Sequence, residues 1–294
     1  MLLSGRKSSG LFICFLLVLG AAVLVQATRT SSLGDLSASP VQVPTWTLCH
    51  THIAHALGAI DGTPYTNSVE AFGASYARGF RVFEVDLART RDGPIVAMHD
   101  WRGTWPAVPR LADFKAHRID GRYTPATLRD VLGLLQAHAD AYLVLDFKGE
   151  VSDLLPTIVA EAVAMDSSLP ERIIPQISNR EELDAALRVY HFPSEILTLY
   201  RSAASDDEVV ALIAHTGIPV VTMSTRRFSP GLVARLDSAG AKVYVHTVND
   251  ADSAADLRAK GVWGIYTDSL APSSAGSGCV LQPKASFADS DRNH

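Results

Sequence analysis

Cysteine is scarce in this sequence, with three residues in 294, at positions 14, 49 and 279. That excludes a disulfide-dense small scaffold. Charge is sparse too, at 19% of residues against 47% hydrophobic, so the chain has enough apolar material for a large core and too little charge for disorder. Acids and bases are interspersed at a net charge of −5, which excludes the basic stripe of a nucleic-acid binder. No Gly-rich dinucleotide fingerprint follows the first extended run, which removes the usual reason to expect an open doubly wound sheet.

One apolar run is long. Residues 11–25 are uninterrupted by charge, preceded by Arg6 and Lys7 and followed by Gln26 and Ala27. A basic start, an apolar stretch and a small exit residue describe a secretory signal peptide, and the stretch is shorter than the roughly 20 residues of a membrane-spanning helix. The expectation is a signal peptide over residues 1–27, with an uncleaved signal anchor through residues 11–25 as the alternative. Either gives a secreted or cell-surface protein, with association to a membrane surface left open. Residues 28–47 are rich in Ser, Thr and Pro and read as a linker, while residues 271–294 read as a polar tail. In an oxidising compartment Cys49 and Cys279, at the two ends of the folded region, have the option of an intramolecular disulfide; two unrelated thiols is the other reading.

Between linker and tail, over residues 48–270, short β-branched or aromatic runs recur at 53–57, 80–87, 142–147, 173–177, 196–200, 219–223, 242–248 and 263–267. Helical patterns fill the gaps. Asn67 with Glu70 has capping-box spacing, Thr124-Pro125 opens a second stripe, and Ser205 with Glu208 and Ser229-Pro230 open two more. Eight strands alternating with helices point to a single (β/α)₈ TIM barrel of the α/β class. One piece departs from the alternation: Asp92-Gly93 separates two extended runs, which predicts a β-hairpin after strand 2 that carries His99 and Asp100 back toward the barrel.

Barrel chemistry gathers at the C-terminal ends of the strands. Glu84 and Asp86 lie at i and i+2 on an otherwise apolar strand, so both carboxylates share one side and repel unless a cation stands between them. Asp146 and Lys148 repeat the spacing one strand later. Three converging carboxylates are hard oxygen ligands suited to Ca²⁺ or Mg²⁺ more than to Zn²⁺; structural ion pairs are the competing reading. Of ten histidines, His52 and His55 fall on the first strand and His99 closes the hairpin, and two histidines are able to give and take a proton in one turnover.

These residues resemble a family. The stretch from His55 to Phe72, containing Asn67 and Glu70, is similar to the first motif of the glycerophosphodiester phosphodiesterase superfamily, which includes phosphatidylinositol-specific phospholipase C-like enzymes. Phe83-Glu84-Val85-Asp86, Asp92-Gly93 and Val96 to Asp100 resemble its second block, and Leu143 to Lys148 its carboxylate-x-Lys strand. Val243 to Asn249 and Gly264 to Asp268 resemble its closing strands. The resemblance implies a TIM-barrel phosphodiesterase in which His55 and His99 are the acid–base pair, Glu84, Asp86 and Asp146 hold a divalent cation, and Lys148 faces the phosphate. It implies a small-molecule or lipid phosphodiester as substrate.

Two departures bear on this. The family usually carries Arg directly after its first catalytic His, where this chain has Ala56; Arg102 or Lys148 are the substitutes at hand. Its third metal position is commonly Glu, and Asp146 is one methylene shorter. Trp101, Trp105 and Tyr123 follow His99 and either face the substrate, Trp101 in particular, or simply pack their loop. Alternative readings are a metal-independent phosphatidylinositol phospholipase C-like lyase and a non-catalytic barrel binding lipid head groups. A sugar isomerase or aldolase barrel would want more metal-ligating side chains on strands four to six than Gln176, Tyr200 and Ser224 supply.

Overall fold

The computed structural model of the chain describes residues 44–272. The expected signal segment, most of the expected linker, the polar tail beyond 272 and Cys279 of the Cys49–Cys279 pair lie outside the described residues.

In chain order the elements are α1 (Thr45–Cys49), β1 (His52–Ala54), α2 (Val69–Ala77), β2 (Val82–Arg89), β3 (Ile95–Ala97), α3 (Leu111–Ala116) and α4 (Leu128–Ala137). There follow β4 (Tyr142–Phe147), α5 (Val151–Met165), β5 (Ile173–Ile177), α6 (Arg180–Val189), β6 (Ile196–Thr198) and α7 (Asp206–Thr216). The last are β7 (Val220–Ser224), α8 (Pro230–Ser238), β8 (Lys242–His246), α9 (Ala251–Ala259) and β9 (Gly264–Thr267). Eight strands pair in parallel, and β1 bonds to both β2 and β9, which closes the ring into a TIM barrel. β3 lies outside the ring, antiparallel to β2 with Leu87 opposite Ala97, as the Asp92-Gly93 turn predicts.

Period-two alternation sorts each strand's side chains between the barrel lumen and the helical layer. Phe83, Val85 and Leu87 of β2 join the core shared with the helices, while Val82 points into the lumen. The floor of the lumen takes one residue from every barrel strand: Ile53, Val82, Val144, Ile174, Ile196, Val220, Tyr244 and Tyr266. Trp46 of α1 seals this floor from below, 2% exposed, with its indole donating to Ser194 Oγ at 3.2 Å. The structure therefore makes the end of the expected linker part of the barrel. Burying an indole of this size is worth several kcal/mol at roughly 25 cal/mol per Å².

Two residues further along every one of those strands the lumen becomes polar, with His55, Glu84, Asp146, Gln176, Thr198, Thr222, His246 and Asp268. An apolar layer beneath a polar one fixes where chemistry can occur.

Helix starts differ from expectation at two places. Ser68, not Asn67, caps α2 and accepts from Ala71 N at 3.1 Å. Glu70 is drawn away to Thr124, accepting from its backbone N–H at 2.9 Å and from its hydroxyl. That contact and the Ser68–Pro125 bridge hold 124–126 extended, so α4 starts later, with Thr127 and Asp130 forming the capping box. Ser205 with Glu208 and Ser229 cap α7 and α8 as expected.

Candidate active site

The first strand is shorter than the 53–57 run. Ala56 and Leu57 take left-handed φ of 48° and 65°, which turns the chain at the rim and aims the Ala56 N–H into the lumen. It donates to Glu84 Oε2 at 2.7 Å. Ala56 thus contributes its backbone to the site, although it lacks the guanidinium a neighbouring Arg would bring.

Glu84, Asp86 and Asp146 each offer one carboxylate oxygen within 4.8 Å of the others, and all three residues are buried. Burial and the Asp86 charge push the Glu84 carboxyl well above the usual carboxylate range. Like charges this close hold a proton unless a cation relieves them. The donor set fits a divalent cation of the hard, oxygen-seeking kind. Asp86 gives Oδ1 to Lys148 Nζ at 2.8 Å and Oδ2 to Asn67 Nδ2 at 2.7 Å. Asp146 receives Lys148 at 2.5 Å and the Tyr200 hydroxyl at 3.0 Å. The second Glu84 oxygen takes part in none of the hydrogen bonds among the described residues.

Asn67 holds this arrangement in place. Its Nδ2 donates to the Asp86 carboxylate, and its Oδ1 accepts from the Asp86 backbone N–H at 3.1 Å. The two contacts need opposite ends of the amide, so the network itself fixes which atom is N and which is O. A φ of 46° explains why Asn stands here, since Asn tolerates the left-handed region better than most residues.

Lys148 bridges Asp86 and Asp146. Burial lowers its affinity for a proton, but the two carboxylates outweigh that and the ammonium is held protonated above its ordinary value. Tyr200 follows β6; burial and then Asp146 raise its phenol, which keeps the hydroxyl a donor. The Lys148 Nζ sits 5.8 Å from the Tyr200 ring centroid.

His55 follows β1, which lies between β2 and β9, and its Nδ1 contacts Asp268 Oδ1, just past β9, at 2.8 Å. Asp268 is itself held: its Oδ2 accepts from Asn249 Nδ2 at 2.5 Å, and its backbone N–H donates to Asn249 Oδ1 at 2.8 Å. Burial pulls the His55 imidazole down, but the Asp268 hydrogen bond and the Glu84, Asp268 and Asp86 charges raise it above its ordinary value. A carboxylate on Nδ1 sets the tautomer and leaves Nε2 for chemistry. His99 lies exposed in the turn after β3. Tyr65 joins the two histidines, its ring edge-on to His55 at 4.7 Å and to His99 at 5.4 Å.

Some expected participants stand apart. Arg102 is exposed, its backbone N–H donates to Asp100 at 2.9 Å, and no ion pair joins it to the carboxylates among the described residues. Trp101 packs edge-on to Phe114 at 6.0 Å and Trp105 against His117 at 4.9 Å. Tyr123 is 5% exposed and bonds Asp61 at 2.9 Å. His52 opens onto the other end of the barrel, on a cavity of about 540 Å³ shared with His50, Arg81 and Arg258. That cavity touches none of the three carboxylates.

Asn67, Tyr65, Tyr200, His246 and Asp268 are members of the site that motif reading left without roles. The signal available was the floor-to-polar step in each strand: His246 and Asp268 occupy it on β8 and just past β9. Burial and then the charges of His55 and Lys148 push His246 down to about 4, so its imidazole is neutral at pH 7.

A family model described as Glycerophosphoryl diester phosphodiesterase family matches residues 58–271. Among solved structures, a putative glycerophosphoryl diester phosphodiesterase from Silicibacter pomeroyi is 22% identical at a TM-score of 0.59, covering 78% of this chain and 91% of its own. A phosphodiesterase from Oleispira antarctica, in complex with the product sn-glycerol-3-phosphate, is 18% identical at 0.63, covering 76% and 95%. A putative glycerophosphodiester phosphodiesterase from Galdieria sulphuraria is 15% identical at 0.63, covering 78% and 95%. At these identities the likeness to solved structures concerns the fold.

Proposed function

The chain belongs to the glycerophosphoryl diester phosphodiesterase family and is a phosphoric diester hydrolase; from that premise we propose that it cleaves glycerophosphodiesters with His55 and His99 as acid and base and a divalent cation, Ca²⁺ or Mg²⁺, on Glu84, Asp86 and Asp146. The observation that carries the reading is the cluster of three buried carboxylates beneath a carboxylate-oriented histidine. The sn-glycerol-3-phosphate in the Oleispira antarctica phosphodiesterase supports a glycerol phosphate product.

The cation would neutralise phosphate charge and polarise the P–O bond. The chain's own residues do the rest. Lys148 supplies a fixed positive charge beside the phosphoryl oxygens as charge builds on them. One histidine takes the proton of the attacking hydroxyl while the other gives a proton to the leaving oxygen, and their roles reverse for the second proton transfer. His55, with Nδ1 committed to Asp268, presents Nε2 to this exchange. The two centroid distances to Tyr65, 4.7 Å and 5.4 Å, place the imidazoles no more than about 10 Å apart.

Phosphorus NMR of glycerophosphocholine turnover tests the reaction. Glycerol phosphate with free choline supports hydrolysis; a persistent cyclic phosphate would move the assignment to the lyase alternative; unchanged diester would overturn it. Export goes with the same reading, with residues 1–27 as its signal peptide and a Cys49–Cys279 disulfide formed outside the cytoplasm. N-terminal sequencing and thiol titration of the exported protein check both.

A further inference from the structure

The rim of the barrel is closed over on one side by a single exposed aromatic residue. Tyr65 is 48% exposed, yet its ring is in edge contact with both His55 and His99 and its hydroxyl reaches toward Thr247, past the end of β8. It therefore spans from the loop after β1 to the loop after β8, across the mouth above the carboxylates.

The backbone that carries it is braced on both sides. Ahead of it, the Ala59 N–H donates to Asp268 O at 2.8 Å, Ile60 and Thr63 exchange backbone bonds at 3.0 and 2.8 Å, and Asp61 takes the Tyr123 hydroxyl at 2.9 Å. Behind it, Thr66 Oγ1 contacts Ser68 Oγ at 3.0 Å and Asn67 is clamped to Asp86. Tyr65 itself holds a left-handed φ of 61°, a conformation that a non-glycine residue keeps only when its surroundings impose it. A ring on so restrained a support is a fixed feature of the mouth.

Among the described residues few large apolar side chains are exposed at the rim. The exposed large apolar residues among those described are Leu48, Tyr65, Val163, Leu187 and Tyr200. Leu48 lies on α1 at the barrel floor, Val163 on α5 and Leu187 on α6, which leaves the two tyrosines as the apolar surface of the mouth. An acyl chain entering the site would lie against these two rings or in water.

We propose that Tyr65 is a specificity-determining residue, a fixed roof over the scissile diester that admits small, water-soluble alcohols and excludes acylated ones. This rests on the phosphodiesterase reading above. The roof confines the phosphate between the two histidines, and its outward edge sets the size of the group that fits beside them. Removing the ring opens the mouth and leaves the three carboxylates in place, while the two histidines lose its edge contacts.

The test compares glycerophosphocholine with lysophosphatidylcholine below its micellar concentration, two diesters with the same scissile bond that differ by one acyl chain. Wild type, Tyr65→Phe, Tyr65→Leu and Tyr65→Ala are assayed as full chains, with folding checked by thermal unfolding. The expected result is a preference of at least a hundredfold in kcat/KM for the small diester in wild type and Tyr65→Phe. Tyr65→Leu keeps part of it, and Tyr65→Ala loses at least tenfold, mostly through a gain on the acylated substrate. A ratio unchanged in a folded Tyr65→Ala protein overturns the roof while leaving the phosphodiesterase standing. No turnover of either diester by wild type overturns the phosphodiesterase reading, and the roof with it.

Discussion

Replacing Asn67 by Ala removes a residue that the account treats as the splint of the cation site, and the cost follows from the contacts it makes. Asn67 and Asp86 are each 1% exposed, so water cannot substitute for what is lost. The Nδ2 bond to a buried carboxylate is worth about 1.5–3 kcal/mol, and leaving the buried Asp86 N–H without an acceptor costs about 1–3 kcal/mol. Alanine in the left-handed region adds about 1 kcal/mol. The expected loss is therefore about 3.5–7 kcal/mol, a large part of the 5–15 kcal/mol typical of a domain. Asn67→Gly accepts the backbone conformation, so the difference between the two variants isolates strain from lost hydrogen bonds. Urea unfolding in EDTA gives the stability, and calorimetric titration with Ca²⁺ or Mg²⁺ should show a roughly 10- to 100-fold weaker site, as expected when the group orienting a ligand is removed. A loss below 1 kcal/mol with unchanged cation affinity would refute the idea that Asn67 holds Asp86 in place.

Asp268→Asn keeps the shape beside His55 and removes the charge; kcat should fall roughly 10²- to 10⁴-fold. Since that hydrogen bond and charge raise the His55 imidazole, the limb of the pH–rate profile due to His55 should move to lower pH. Burial pushes Glu195, just before β6, up to about 7. The native state then binds a proton more tightly than the unfolded chain between about 4.5 and 7, so this residue's contribution is most favourable below that window and worsens as pH rises through it. Glu195→Gln should gain about 1–3 kcal/mol at pH 8 relative to pH 5, read as a difference of urea midpoints against wild type. His50, pushed down to about 4, gives the opposite slope as pH falls below 6.5 and cancels in that comparison. A Cβ on Gly264 would lie 2.3 Å from Tyr244 Cε1 and 2.6 Å from the Thr51 carbonyl. Gly264→Ala should therefore lower stability by about 2–3 kcal/mol or more, seen as a lower Tm, and an unshifted Tm would contradict the tight floor packing.

The barrel was legible because eight β-branched or aromatic runs recur with helical patterns between them, four of which carry helix-start signals. The hairpin was legible from Asp92-Gly93, whose turn chemistry is local. Glu84, Asp86, Asp146 and Lys148 could be grouped because i and i+2 on a strand must share a side. Contacts between residues distant in sequence were not legible: His55 meets Asp268 over 213 positions, and Tyr200 meets Asp146 over 54. Alternation gives the face a residue points to, and only barrel closure decides what stands opposite. Asn67 illustrates the second obstacle. Capping-box spacing with Glu70 made it look like a helix start, whereas tertiary partners took both side chains, Asp86 the one and Thr124 the other. Tyr65 carried no signal beyond its place in a loop.

The most direct test of the central claim is hydrolysis of glycerophosphocholine, glycerophosphoethanolamine and phosphatidylinositol by the full chain with Ca²⁺, Mg²⁺ or EDTA, beside His55→Ala and His99→Ala. The account predicts turnover of the glycerophosphodiesters that EDTA abolishes, that Ca²⁺ or Mg²⁺ restores, and that each histidine variant lowers by about 10²- to 10⁴-fold. Turnover indifferent to EDTA, or retained at full rate without either histidine, would contradict it.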